Sequence, residues 1–114
     1  MVEFWGAHCS PCLGAVPHLC EIQKKYGRDR LVAVAVQAWS NEPFESLQRI
    51  FEKHAPADYQ VSVTHLGGFP GLKISAVPEV LILGQDGQLR WHGDPTDPEL
   101  DGTLATLLTE ASKP

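Results

Sequence analysis

Two cysteines with two residues between them, Cys9 and Cys12 in EFWGAHCSPC, can exchange electrons, share a metal or simply pack. Thiol-disulfide exchange needs an exposed thiolate that attacks and a second thiol close enough to resolve the mixed disulfide. A structural zinc site needs two further ligands, and His8, His18 and Cys20 all fall on the same short segment without a second CxxC knuckle. A c-type haem would need His directly after the second cysteine, where Leu13 stands. No metal and no cofactor is therefore expected, because a cysteine pair can hold the electrons itself.

The elements around the pair decide whether it can work. Residues 2–7 (VEFWGA) are aromatic and branched and stop at small residues, which predicts a short buried strand ending just before Cys9. From Pro11 to about Tyr26, Leu13, Val16, Leu19, Cys20 and Ile22 recur near helical spacing, Pro17 should kink the helix, and Gly27 stops it. A helix start lowers the pKa of a thiol placed there, so Cys9 is the expected nucleophile and Cys12, one turn in, the resolving thiol.

LVAVAV (31–36) is apolar on both faces, as in a central parallel strand covered on each side, and completes a βαβ unit. Ser40 and Asn41 could cap a second helix marked by Phe44, Leu47, Ile50 and Phe51 and ending before Pro56. Residues 56–76 read as an irregular connection, with a possible extended piece at YQVSV and breaks at Gly67, Gly68 and Gly71. Val80 to Leu83 and Leu89 to Trp91 flank Asp86-Gly87, a hairpin signal. Asp97, Pro98 and the stripe Leu100, Leu104, Leu107 and Leu108 predict a closing helix, in spite of Gly102.

The expected architecture is α/β, in the order βαβαββα, with a central mixed sheet of about four strands flanked by helices. That order, with a cysteine pair at a strand-to-helix junction, resembles the thioredoxin-like fold. EFWGAHCSPC, Pro17, AVPEVLIL and DGQLRWHGD are similar to the TlpA/ResA-like branch of thiol-disulfide oxidoreductases, and the resemblance covers nearly all of residues 1–114, read as a single domain. The family's N-terminal strand or hairpin has no counterpart before residue 2, which leaves either a four-stranded sheet or a fragment.

The resemblance carries site expectations. Glu3, six residues before Cys9, matches a buried acid beneath the active site that could accept the proton of Cys12; a surface glutamate is the alternative. Pro78 matches a cis-proline that leaves the backbone at Val77 free to pair with an extended substrate segment. Trp5 packs in the core or lines the site, as does Trp91. His8 stands where the family commonly has Trp, and as imidazolium it would stabilise the Cys9 thiolate, whereas a neutral ring would do little. Glu79 follows Pro78 where an uncharged residue is usual, and its carboxylate would oppose that thiolate and repel acidic substrates. Cys20 reads as a small buried hydrophobe rather than a third redox thiol. His92-Gly93-Asp94 ends a strand rather than building a metal site, and Asp94, Asp97, Glu99 and Asp101 suit a helix N-terminus rather than a calcium loop.

With 114 residues the chain can bury a core without covalent staples. No apolar run approaches the ~20 residues of a membrane helix. A net charge of −5 without a Lys/Arg cluster disfavours nucleic acid and anionic membranes as partners. The implied function is a monomeric thiol-disulfide oxidoreductase that acts on disulfide-containing proteins, leans to reduction and is recharged by an upstream dithiol donor. A redox-silent domain that holds peptides in the same groove is the alternative. The compartment is not fixed: extracytoplasmic, such as periplasmic, if a leader was removed, otherwise cytoplasmic.

Overall fold

The computed structural model describes residues 1–38, 42–65 and 76–111, with positions 110 and 111 described by their backbone alone. Among the described residues eight elements follow in chain order: β1 (Val2–Trp5), α1 (Ser10–Tyr26), β2 (Val34–Gln37), α2 (Phe44–Glu52), β3 (Ser62–His65), β4 (Glu79–Leu83), β5 (Leu89–Gly93) and α3 (Glu99–Ala111). One mixed sheet runs β3-β2-β1-β4-β5, parallel across β3, β2 and β1 and antiparallel across β4 and β5. It therefore has five strands rather than about four. The additional one, β3, grows out of the YQVSV piece, because a parallel partner on β2, with Ala35 opposite Val63, supplies the ladder that its weak local pattern could not announce.

The three described helices lie against one face of the sheet. Side chains alternate along a strand, and Trp5, Ala35, Val80 and Ile82 join residues of α1, α2 and α3 in a single apolar core. Phe4 and Val36, turned the other way, are buried but stand outside that core. Val32, Leu83 and Leu89 are about half exposed.

Element ends follow local chemistry. The α1 helix runs unbroken through Pro17 and stops at Gly27, whose φ of 77° suits a residue without a Cβ and whose N–H reaches the carbonyl of Gln23 at 3.0 Å. Pro43 precedes α2 with no side-chain cap, and the expected caps Ser40 and Asn41 lie outside the described residues, as do Gly67, Gly68 and Gly71. Gly87, with φ of 80°, turns the β4–β5 hairpin, and Asp97 Oδ1 accepts the N–H of Glu99 at 2.9 Å at the start of α3.

One buried polar side chain ties α1 to the sheet. Gln23 donates from Nε2 to the carbonyl of Leu31 and accepts the N–H of Ala33 at Oε1, both at 2.7 Å, just before β2 begins. A fully buried amide is tolerated there because both its ends are satisfied.

Candidate active site

The cysteines lie where β1 hands over to α1. Cys9 is the N-cap residue of the helix, in extended conformation, and its Sγ accepts the N–H of Cys12 at 3.3 Å. The two form a disulfide with Cα atoms 5.2 Å apart. Cys9 is partly exposed and Cys12 fully buried, so an incoming thiol or disulfide meets Cys9 first. In the reduced state the same N–H and the helix dipole would favour a thiolate at Cys9.

Beneath them Glu3 occupies the middle of the sheet, between Ala35 on β2 and Val80 on β4, at 1% exposure. Its Oε1 has no hydrogen-bond partner. Loss of water, and secondarily the negative charge of Asp94, push its pKa up to about 8. Asp94 owes its own lowered pKa chiefly to Thr96, whose hydroxyl and N–H donate to Oδ1 at 2.6 and 2.8 Å. Gly93 pairs with Val80, which pairs with Glu3, so Asp94 arrives at the end of the row that holds the buried acid.

The Val77–Pro78 peptide bond is cis. Because β4 begins with Glu79 opposite Phe4, Val77 and Pro78 come to the end of β1 from which the chain continues to Cys9. Val77 and Cys9 both pack against the core from partly exposed positions.

Trp5 is placed otherwise than as a substrate contact. At 1% exposure it offers a substrate no surface, and its ring meets Phe51 of α2 edge-on with centroids 5.8 Å apart. The cause is its parity with Glu3, which turns both side chains under the helices. Its indole N–H, like Glu3 Oε1, is buried without a partner. Trp91 lies half-buried over Gly93, and its Nε1 donates to Glu99 at 3.3 Å.

His8 is 78% exposed, and its Nε2 pairs with Glu42, a contact that spans 34 positions and has no signature in the sequence. Glu79 faces His92, Oε1 to Nδ1 at 3.3 Å. Cys20 is free and buried, its pKa raised to about 11 by burial and then by the charges of Glu3 and Asp58. Among the described residues no group of His, Cys, Asp or Glu is arranged to hold a metal ion. Nor is any described helix long and apolar enough to cross a membrane.

Known proteins resemble the chain in sequence and in fold. No family model matches the chain. The thiol-disulfide oxidoreductase ResA of Halalkalibacterium halodurans is 25% identical over 88 residues, 77% of this chain and 49% of that protein. The thioredoxin-like protein YneN of Bacillus subtilis is 27% identical over 90 residues, 79% of this chain and 52% of that protein. The chain thus spans about half the length of these relatives. In structure, a candidate thioredoxin from Neisseria meningitidis superposes with a TM-score of 0.76 at 16% identity, covering 97% of this chain and 75% of that one. A candidate thiol:disulfide interchange protein DsbE from Chlorobium tepidum superposes with a TM-score of 0.70 at 22% identity, covering 94% and 77%.

The fold is thioredoxin-like, and the cysteine pair stands at its first strand-to-helix junction. Within that class, its similarity is to the TlpA/ResA type of thiol-disulfide oxidoreductase.

Proposed function

We propose that the chain is a thiol-disulfide oxidoreductase acting on protein disulfides, working in the direction of reduction. The observation that carries this reading is the Cys9–Cys12 pair at the start of α1, one sulfur reachable and the other buried behind it.

In the reducing cycle the Cys9 thiolate attacks one sulfur of a client disulfide, forming a Cys9–client bond and releasing the other client sulfur as a thiolate. Cys12 gives its proton to ionised Glu3 and attacks Cys9 Sγ, which breaks the mixed disulfide and releases the second client thiolate. Two electrons have then passed to the client, and Cys9 and Cys12 are joined. An upstream dithiol reverses that bond and takes up the oxidation. The backbone at Val77, beside Pro78, steadies the client as an added extended segment, and His8, when protonated, favours the Cys9 thiolate.

Replacing Cys12 with Ser removes the resolving thiol, so the variant should accumulate a disulfide-linked adduct with a disulfide-containing protein. The adduct should contain Cys9 and disappear on reduction. If no adduct forms with any disulfide protein offered, the site does not cycle and the reading fails.

A further inference from the structure

His8 is held by a side chain from another segment. The strands β1 and β2 are paired to their last residues, Trp5 opposite Gln37, and the N–H of Ala38 still reaches the carbonyl of Trp5 at 2.8 Å. The two segments that leave these strands therefore start side by side. One turns at once: Cys9 donates its N–H to the carbonyl of Gly6 at 3.2 Å, which closes a turn with His8 directly before the expected nucleophile. The other brings Glu42 to His8 Nε2 just before Pro43 and α2.

An ionised carboxylate only accepts hydrogen bonds, so Nε2 of His8 carries the hydrogen in this contact. The bond made by one ring nitrogen decides the role of the other. In the neutral ring Nδ1 is then left with its lone pair, and Nδ1 is the nitrogen nearer the backbone, which continues directly into Cys9. With Nε2 anchored on Glu42, the two nitrogens do not trade places. The side chain of His8 is 78% exposed and that of Glu42 30%, so a client meets the imidazole before the carboxylate.

Resting on the oxidoreductase reading, we propose that His8 carries the proton of Cys9 and that Glu42 is the positioning residue for His8. In the reduced pair Nδ1 takes the proton of the Cys9 thiol, leaving a thiolate beside an imidazolium. The thiolate attacks one sulfur of the client disulfide, and the client S–S bond breaks. The other client sulfur departs with the electron pair, and Nδ1 gives it the proton, so that it ends as a thiol. The ring is neutral again when Cys12 attacks. Glu42 acts throughout by keeping hydrogen on Nε2. In the disulfide form Cys9 has no proton to give, so the hand-over belongs to the reduced protein.

The test compares the parent with His8→Ala, Glu42→Ala and the double variant. The pre-reduced proteins are mixed with a peptide that carries one intramolecular disulfide, and their oxidation is followed by mass after acid quenching. At neutral pH each single variant should be slower by roughly tenfold or more, and the double variant no slower than His8→Ala, because the two side chains act as one unit. In a Cys12→Ser background, alkylation of Cys9 by iodoacetamide should set in at higher pH in all three variants than in the parent. A carboxylate acting on Cys9 directly gives the opposite sign, since its loss eases thiolate formation and moves the onset to lower pH. A Glu42→Ala protein that matches the parent, or whose onset moves to lower pH, overturns the role of Glu42 while the dithiol chemistry stands. Further slowing when Glu42→Ala is added to His8→Ala does the same. A His8→Ala protein that matches the parent overturns the proton hand-over itself. Oxidation of none of the four proteins by the peptide overturns the oxidoreductase reading and this proposal with it.

Discussion

Glu3 and Trp5, two positions apart on β1, turn to the same side of the sheet and each leaves a polar atom in the core without a partner. A buried carboxyl in that position holds its proton well past the usual range. In the unfolded chain Glu3 titrates near its ordinary value of 4.5, in the folded chain at about 8. Between those values the folded state binds the proton and the unfolded state has lost it, so stability falls as pH rises through the window. The loss should reach on the order of 4 kcal/mol by the upper end. Glu3→Gln should remove this decline and be the more stable protein at pH 8 and above, measured on the oxidised form by urea unfolding across pH. Equal slopes for the two proteins would contradict the burial of an uncompensated acid.

Asp94 supplies the second cause of that shift, so Asp94→Asn should lower the Glu3 pKa. The stability decline of the variant should end at a lower pH and be smaller than in the parent. Superimposable pH profiles would show that the Asp94 charge does not reach the buried acid.

Much of this was readable in the order of residues. The strand read over residues 2–7, which the structure ends at Trp5, the helix closed by Gly27 and the hairpin at Asp86-Gly87 all rest on local rules. What stayed hidden depended on distant partners. YQVSV offered only a possible extended piece until β2 paired with it, Trp5 was left between core and site lining until Phe51 met it, and the Glu42 contact with His8 had no local sign at all. Gln23 carried a faint signal, since it continues the buried helical face of Val16, Leu19 and Cys20, where an amide must find partners.

That amide offers the next test. Gln23→Leu keeps approximate size and removes both hydrogen bonds, leaving the Leu31 carbonyl and the Ala33 N–H buried and unpaired. Unfolding free energy should drop by about 2–5 kcal/mol. A change below about 0.5 kcal/mol would mean that water or a shifted backbone replaces the side chain.

Cys20 should behave as a structural thiol. Buried and with its pKa raised to about 11, it presents almost no thiolate near neutral pH. Iodoacetamide should leave the folded oxidised protein unmodified and alkylate one thiol per chain once it is unfolded. After reduction of the folded protein, Cys9 should be modified first, as peptide mapping would reveal. Rapid labelling of Cys20 in the folded oxidised protein would count against its placement.

Gly102 sits inside α3 with open space where a Cβ would be. Gly102→Ala should therefore stabilise the protein by up to about 1 kcal/mol, raising the thermal midpoint. A fall in that midpoint would show that the position meets something other than solvent.

The placement of β1 at the centre of the sheet has a consequence for motion. Its backbone is paired with β2 on one side and β4 on the other, so its amides can exchange with deuterium only when the sheet itself opens. The acid proposed to serve the cysteines stands on a strand paired along both edges, and the cysteines themselves lie just past its end. A change of redox state at Cys9 and Cys12 then falls at the first turn of α1, next to a strand held from both sides, rather than within the sheet.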